Sequence, residues 1–143
     1  MAYAGEKVLA SQISALASVP WTSFTPTWTN LTVGTGVGTY SYLRVGRLIV
    51  ASYEFVLGGT SAVGTGPYVT LPVAAAANQL ISCVSEYRDL SAPAVYAGVV
   101  LLSGTVLLPC RLTEARTSLS ATAPFTWASG DSLRWIVEYQ AAT

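Results

Sequence analysis

The chain contains no histidine, only two cysteines and very little charge. Among its 143 residues, seven Lys plus Arg balance seven Asp plus Glu, so the formal net charge is zero and charged residues make up only 10%. Without histidine, Ser-His-Asp and Cys-His catalysis is excluded, and most zinc sites lose a usual ligand. The few basic residues give nucleic-acid binding no electrostatic support. We therefore predict no enzymatic activity, no metal, no cofactor and no nucleic-acid partner.

One catalytic alternative does not need histidine. Glu54 and Glu138 are both predicted on the polar faces of strands, where two carboxylates could meet as in a glycosidase. Each has an arginine nearby, Arg47 or Arg134, which is typical of a solvated polar face. Nothing in the sequence indicates a cleft or shifted pKa values at these carboxyls. We therefore favour a solvated surface over paired-carboxylate catalysis.

The two cysteines and one long uncharged run bear on compartment and membrane insertion. Cys83 and Cys110 lie in apolar, strand-like runs, where a reduced cysteine behaves as a small hydrophobe, so we predict buried free thiols. Residues 90–110 carry no charge, which raises the alternative of a membrane span. However, Ser103-Gly104 and Pro109 interrupt this run where a hairpin turn fits better than a continuous helix. We therefore expect no membrane insertion.

The low charge also predicts self-association. Hydrophobic residues account for 52% of the chain, so Ser, Thr, Asn and Gln must carry most of the solvent-facing surface. Such a surface repels copies of itself only weakly, and we expect a homo-oligomer or a lattice rather than a lone monomer. Four Trp and eight Tyr add flat apolar faces with polar tips, which suit protein interfaces or stacking on sugar rings.

Alternation with a period of two residues dominates the chain from residue 40 onward. Ile49, Ala51, Tyr53, Phe55 and Leu57 share one face of a predicted strand, and Leu133, Trp135, Val137 and Tyr139 share one face of another. Val45-Gly46-Arg47 and Ser103-Gly104 are predicted to close tight hairpins, and the glycine-rich residues 58–67 to form an exposed loop. About seven strands at intervals of roughly ten residues predict an all-β fold, an antiparallel β-sandwich of jelly-roll or Greek-key type.

The N-terminal residues are predicted to form a separate segment that ends at Pro20. Ser11 can cap a short helix. Because a helix of two turns is marginal in water, this segment must dock on its own domain or on another protein. We therefore divide the chain into residues 1–20, a helical or extended anchoring segment, and residues 21–143, the β-sandwich domain. The predicted virion-anchoring residues are Val8, Leu9, Ile13 and Leu16.

An aromatic strip and a pair of tyrosines are the candidate contact residues. The strip consists of Trp21, Phe24 and Trp28. Pro20 and Pro26 favour an extended chain there. Tyr40 and Tyr42 share a strand face with Arg44, and we expect this face to meet solvent, where the tyrosines serve surface recognition or contact between subunits. Core packing is the alternative for Trp28. The candidates for an interface or for surface recognition are Trp21, Trp28, Tyr40, Tyr42 and Arg44.

Three stretches of the chain resemble the small β-structured fibre, spike and decoration proteins of tailed bacteriophages, including the C-terminal domains of minor tail or head fibre proteins. These stretches are AGEKVLASQISAL, FTPTWTNLTVGTGVGTYSYLRVGRLIV and APFTWASGDSLRWIVEYQAA, with an LPV segment between the last two. The last two together cover about a third of the chain. The resemblance implies a virion protein, assembled in the host cytoplasm, whose N-terminal segment attaches to the particle and whose β-domain faces outward.

The resemblance also implies partners. They are further copies of the chain, commonly in a homotrimer, then the major capsid or tail proteins of the virion, and host surface glycans. The chain departs from long tail fibres because no shaft of repeats or coiled coil lies between Leu16 and Trp21. We therefore expect a non-enzymatic exterior decoration or short fibre module. A capsid-cementing decoration protein without a receptor role and a receptor-binding tail fibre or tail-tip protein are the alternatives.

Overall fold

The computed structural model describes residues 18–79, 82–113 and 115–143. Runs rich in β-branched and aromatic residues form the strands. In chain order the strands are β1 (Thr22–Ser23), β2 (Trp28–Thr32), β3 (Val37–Val45), β4 (Leu48–Val56), β5 (Ala62–Thr70), β6 (Ser82–Asp89), β7 (Ala94–Ser103), β8 (Val106–Arg111) and β9 (Ser132–Gln140). These described residues contain no helix, and hence none long and apolar enough to cross a membrane. The predicted all-β, antiparallel fold is confirmed.

All nine described strands belong to one antiparallel sheet, in the order β1-β3-β4-β9-β6-β7-β8-β5-β2. The strands β1 and β2 follow each other in the chain, yet they lie at opposite edges of this sheet. A flat sheet of this size would place its edges about 38 Å apart, whereas residues 24–27 allow a span of at most about 19 Å. The sheet therefore curls back on itself into a half-barrel.

The second half of the sheet follows a Greek-key path. Hairpins join β6 to β7 and β7 to β8, and β9 returns through residues 112–131 to pair with β6. The resulting order β9-β6-β7-β8 is that of a Greek key. A sandwich of two separate sheets is not confirmed, because one continuous sheet provides both sides of the core. The predicted N-terminal helix falls outside the described residues.

Three long strands, β3, β4 and β9, form the most regular part of the sheet. β3 and β4 pair along their whole length around the turn at Gly46, whose φ of 59° suits glycine. β4 also pairs with β9 along its whole length. The predicted inward faces of β4 and β9 are confirmed, since the following side chains are buried: Ile49, Ala51, Tyr53, Phe55, Leu133, Trp135, Val137 and Tyr139.

The core lies between these strands and the opposite wall of the half-barrel. Leu31, Val63, Val69 and Leu107 bring β2, β5 and β8 to it. The hydroxyl of Tyr53 on β4 donates a hydrogen bond to the carbonyl oxygen of Thr70 on β5 across 3.0 Å. The connection at residues 112–131 adds the buried side chains of Leu119 and Phe125. The core is thus enclosed by the sheet on both sides and by this connection.

Both cysteines are free thiols, as predicted. Cys83 lies on β6 and Cys110 on β8, with β7 between them. Two strand spacings separate their Cα atoms by about 9 Å, which exceeds the limit of about 7 Å for a disulfide. Burial raises the pKa of Cys83 to about 11 and also raises that of Cys110. Neither thiol is therefore ionised at neutral pH, and both act as apolar packing groups.

Candidate functional site

Four aromatic side chains close the opening between the two edges of the curled sheet. We call Phe24, Trp28, Tyr40 and Tyr42 the aromatic seam. The ring of Phe24, between β1 and β2, lies 5.9 Å from the Tyr40 ring and 5.7 Å from the Tyr42 ring. The indole Nε1 of Trp28 donates a hydrogen bond of 2.9 Å to the hydroxyl of Tyr40. Side chains thus bridge the gap that no backbone ladder spans among the described strands.

The two tyrosines of the seam face the core, so the predicted solvent-side face was wrong. Tyr40 pairs with Tyr53 and Tyr42 pairs with Ala51, and directly opposed residues share a face of the sheet. Both partners are buried. A period of two residues shows which residues share a face but not which face is inside. Burial also raises the pKa of Tyr40, and the hydrogen bond from Trp28 offsets part of this rise.

A glycine makes room for the seam. A methyl group on Gly38 would overlap the ring of Tyr40, two residues along the same strand face. The absence of a side chain at Gly38 therefore lets the Tyr40 ring lie flat against the backbone, where it can reach Trp28.

Trp28 connects the seam to two further aromatic rings of the core. Its ring lies 5.9 Å from that of Phe55 and 6.0 Å from that of Trp135, the latter edge to face. Trp135 in turn stacks on Tyr53, with centroids 5.2 Å apart. The Trp28 ring therefore packs against the core, which was the alternative to a surface role for this residue.

The remaining candidates, Trp21 and Arg44, are both exposed, and they differ in their contacts. The Trp21 side chain, next to β1, is 49% exposed. The guanidinium of Arg44 donates to the carbonyl oxygens of Gly46 and Thr143, across 2.8 and 2.6 Å. Arg44 therefore fastens residue 143 to the β3–β4 turn, while Trp21 leaves a large apolar ring accessible to a partner. The predicted anchoring residues Val8, Leu9, Ile13 and Leu16 lie outside the described residues.

Two connections at one end of the half-barrel are held together by hydroxyl groups, and we call residues 33–36 and 57–61 the tip. The amide of Thr35 donates to the hydroxyl of Thr60 across 2.9 Å, and the amide of Thr60 donates to the hydroxyl of Thr35 across 3.3 Å. The predicted loop at residues 58–67 is shorter than expected, because β5 already begins at Ala62. These reciprocal bonds fix the shape of an exposed, hydroxyl-rich surface.

The solvent side of β3-β4-β9-β6-β7, which we call the outer face, carries a shallow groove. At its centre Arg134 stands opposite Glu54 on β4 and opposite Glu86 on β6. Its Nη2 atom lies 2.6 Å from Oε1 of Glu86. The apolar side chains of Val84 and Ile136 line the same groove. Sequence reasoning missed this site because it depends on β4, β9 and β6 being neighbours in space.

The carboxylates of the predicted glycosidase alternative are not brought together. Glu54 stands opposite Arg134, whereas Glu138 stands opposite Val50. Four residues along a strand correspond to about 13 Å, which is too far for the paired carboxylates of a glycosidase, about 5 to 9.5 Å apart. In the described residues there is also no cluster of three or more His, Cys, Asp or Glu side chains that could hold a metal ion.

No family model, no curated protein and no solved structure matches the chain.

Proposed function

We propose that this chain is a non-enzymatic structural protein on the exterior of a tailed-phage virion, where it forms an oligomeric decoration or short fibre module. One observation carries the proposal. The two longer stretches that resemble phage proteins are far apart in the chain, yet they supply neighbouring strands. The first contains β2, β3 and the start of β4, the second contains β9, and β4 pairs with β9 from Leu48–Gln140 to Val56–Ser132. Apart from β2, which pairs with β5, the strands of these stretches form one contiguous, regularly paired unit. Trp28 on β2 contacts this unit through its hydrogen bond to Tyr40.

In this proposal the N-terminal segment attaches the chain to major capsid or tail proteins through Val8, Leu9, Ile13 and Leu16. The exposed ring of Trp21 beside β1 supports the assignment, because a large apolar side chain next to the segment can extend the contact. In the same proposal the half-barrel is a variant of the Greek-key sandwich, in which its two walls correspond to the two layers. Three copies of the chain assemble into a homotrimer.

The tip is the surface that we propose for contact with host glycans. The hydroxyls of Thr35 and Thr60 already hold the two connections in one arrangement, so little ordering remains to be done when a partner binds. Hydroxyl and backbone groups are also suitable hydrogen-bond partners for sugars. This contact is secondary to the structural role, which stands without it.

The first experiment locates the chain on the particle. Virions are purified from the phage whose genome encodes this chain. They are labelled with gold-conjugated antibodies against the chain and imaged by electron microscopy. We expect label on the particle exterior, and the labelled structure distinguishes head from tail. The proposal is wrong if purified virions carry neither label nor peptides of the chain by mass spectrometry.

The second experiment tests the anchoring residues. The double variant Leu9→Glu/Ile13→Glu is expected to abolish incorporation into particles while the purified protein keeps its melting temperature. The matched control Glu6→Gln, in the same segment, is expected to be incorporated normally. Equal incorporation of both variants would remove the anchoring role.

Particles that lack the chain distinguish the alternatives. Loss of adsorption to host cells with normal heat resistance selects the receptor-binding role. Loss of heat resistance with normal adsorption selects the capsid-cementing role.

A further inference from the structure

The outer face carries exposed aliphatic side chains that the core does not explain. Val84 on β6 is 75% exposed and Ile136 on β9 is 58% exposed. Both lie inside strands in the middle of the sheet, away from its edges and turns. Antiparallel sheets with one solvated face usually place polar residues at such positions. Val84 and Ile136 line the same groove, and exposed apolar side chains that lie together are more typical of an interaction site than isolated ones are.

The charges on the same face do not select a strongly basic or strongly acidic partner. Glu54, Glu86 and Glu138 are distributed among Arg88 and Arg134, so both signs are interspersed and nearly balanced. The whole chain is likewise neutral. In a homotrimer the outer face of one copy meets a different surface of the next copy. Because the chain is neutral overall, these two surfaces repel each other little, and the acids and arginines of the outer face can find partners of opposite sign on the next copy. The charge pattern therefore fits a second copy of the same chain.

The outer face is also large enough for a stable contact. Its strands β3, β4, β9, β6 and β7 are each eight to ten residues long. With strand spacings of about 4.8 Å and about 3.3 Å per residue, they cover an area of about 700 Å². A typical specific interface buries about 800 Å² on each partner. The face thus matches the size that one partner molecule needs.

We propose that a second copy of this chain packs on the outer face, with Val84 and Ile136 at the centre of the contact. The inference deepens the proposed function, since it rests on the oligomer that this function requires and names the surface that forms it. The Arg134–Glu86 pair adjoins the two apolar side chains and gives the contact its orientation.

The test measures the assembly of the full chain by sedimentation equilibrium and light scattering over a wide range of concentration. We expect the wild-type chain to assemble, and the double variant Val84→Glu/Ile136→Glu to weaken the association by about 100-fold. The control Leu112→Glu replaces a side chain that is 63% exposed and lies outside the outer face, and it is expected to assemble as the wild type does. All three proteins are expected to share one near-ultraviolet circular dichroism spectrum, because the substituted side chains are exposed.

Three outcomes overturn the inference, and a fourth separates it from the virion role. If the wild type assembles and the double variant assembles equally tightly, copies associate through another surface and the proposed oligomer stands without this one. If the wild type is monomeric, the oligomer of the proposed function fails as well. If the wild type is monomeric and Leu9→Glu/Ile13→Glu assembles, the chain's own N-terminal segment occupies the face. If gold labelling finds no chain on virions but the double variant dissociates, the virion role fails and this inference stands.

Discussion

The indole Nε1 of Trp28 donates a hydrogen bond to the hydroxyl of Tyr40 across 2.9 Å, and this bond joins opposite ends of the sheet. Trp28 lies on β2, an edge strand, whereas Tyr40 lies on β3, beside the other edge strand. A closed barrel would join its edges by a ladder of backbone hydrogen bonds. In the described part of this chain, side chains of the aromatic seam make the connection instead.

The seam predicts an energetic coupling between its two hydrogen-bonded residues. Tyr40→Phe is expected to lower the free energy of unfolding by about 1 kcal/mol, because it removes a half-buried acceptor. Trp28→Phe removes the donor and part of the ring contact, at a cost of about 2 kcal/mol. Because both variants break the same bond, the double variant is expected to lose about 1 kcal/mol less than the sum. Urea denaturation of the four proteins measures this coupling.

Tyr42→Phe serves as the control for this cycle, because the Tyr42 hydroxyl has no hydrogen-bond partner among the described residues. Its effect is expected to add to that of Trp28→Phe. Additive losses for Trp28 and Tyr40 would show that the bond contributes nothing to closing the sheet.

The parts of the fold that sequence predicts well are those set by local pattern. The faces of β4 and β9 follow from alternation, and the β3–β4 hairpin follows from Gly46, whose positive φ is needed in the turn. These signals lie within a few residues of each other and need no knowledge of the rest of the chain. The same reasoning correctly indicated two free cysteines, of which Cys110 is buried and Cys83 is half-buried.

The parts that sequence misses depend on distant residues or on irregular backbone. In β2 the register shifts between Thr29 and Leu31, and Asn30 has a φ of 57°, so the alternation that signals a strand is broken. The inward face of β3 is set by its pairing with β4 and by the edge-closing Trp28, not by its own pattern. The groove around Arg134 requires β9 to lie between β4 and β6, which no local signal encodes.

Buried tyrosines predict that the protein loses stability at alkaline pH. Burial raises the pKa of Tyr139 to about 12 and raises those of Tyr53 and Tyr87 further, from an ordinary value of 10.0. The folded protein holds these protons more tightly than the unfolded chain. Their contribution is therefore complete below pH 10 and is lost as pH rises toward the folded pKa values, by about 1.4 kcal/mol per pH unit for each group.

Urea denaturation at a series of alkaline pH values measures this loss, and tyrosinate absorbance follows ionisation. Tyr139→Phe is expected to flatten the slope above pH 10 while lowering stability at neutral pH, because it removes the 2.7 Å hydrogen bond to the carbonyl oxygen of Val73. Ionisation of all eight tyrosines near pH 10 in the folded protein would contradict the prediction.

Truncation of the buried Asp131 side chain is expected to lower the free energy of unfolding strongly. Asp131 is fully buried, and its two oxygens accept hydrogen bonds from the amides of Leu90 and Ala128, across 2.8 and 2.6 Å. Asp131→Ala leaves both amides without a partner and is expected to cost about 3 kcal/mol, whereas Asp131→Asn keeps one acceptor and is expected to cost about half as much. Glu138→Ala, at an exposed site, is expected to change stability by less than about 0.5 kcal/mol. A cost for Asp131→Ala no larger than for Glu138→Ala would refute this role.

A second carboxylate, that of Asp89 at the end of β6, is expected to make the stability of the protein depend on pH in the acidic range. The hydroxyl of Ser91 is the main cause that lowers the pKa of Asp89 below 3.8, and the amides of Ala92 and Ser91 add to it. The stability that this group contributes is present above pH 3.8 and is lost as pH falls through the folded pKa. Ser91→Ala is expected to raise the pKa of Asp89, as measured by nuclear magnetic resonance of its carboxyl carbon, while Ser129→Ala in another turn leaves it unchanged. Identical titration of Asp89 in both variants would contradict the assignment.

Replacement of Gly98 on β7 is expected to have a large steric effect. A methyl group there would overlap Cε2 of Tyr87 and would lie 2.5 Å from Oγ of Ser85 and 2.6 Å from the carbonyl oxygen of Cys110. These three groups form a buried chain of hydrogen bonds, in which Ser85 donates to the Tyr87 hydroxyl across 2.8 Å and Tyr87 donates to the Cys110 carbonyl across 2.9 Å. Gly98→Ala must displace this chain, and we expect a loss of at least about 3 kcal/mol.

Gly59→Ala is the matched control, because a methyl group at Gly59 would meet no atom within 4 Å. Its effect is expected to stay within about 0.5 kcal/mol. Neither glycine has a positive φ, so the difference between the variants reports space and not backbone strain. Adding Ser85→Ala to Gly98→Ala removes one of the three close contacts and is expected to recover part of the loss. Equal melting temperatures for Gly98→Ala and Gly59→Ala would mean that β7 can move away from β6, and that the buried chain of hydrogen bonds does not hold these strands in place.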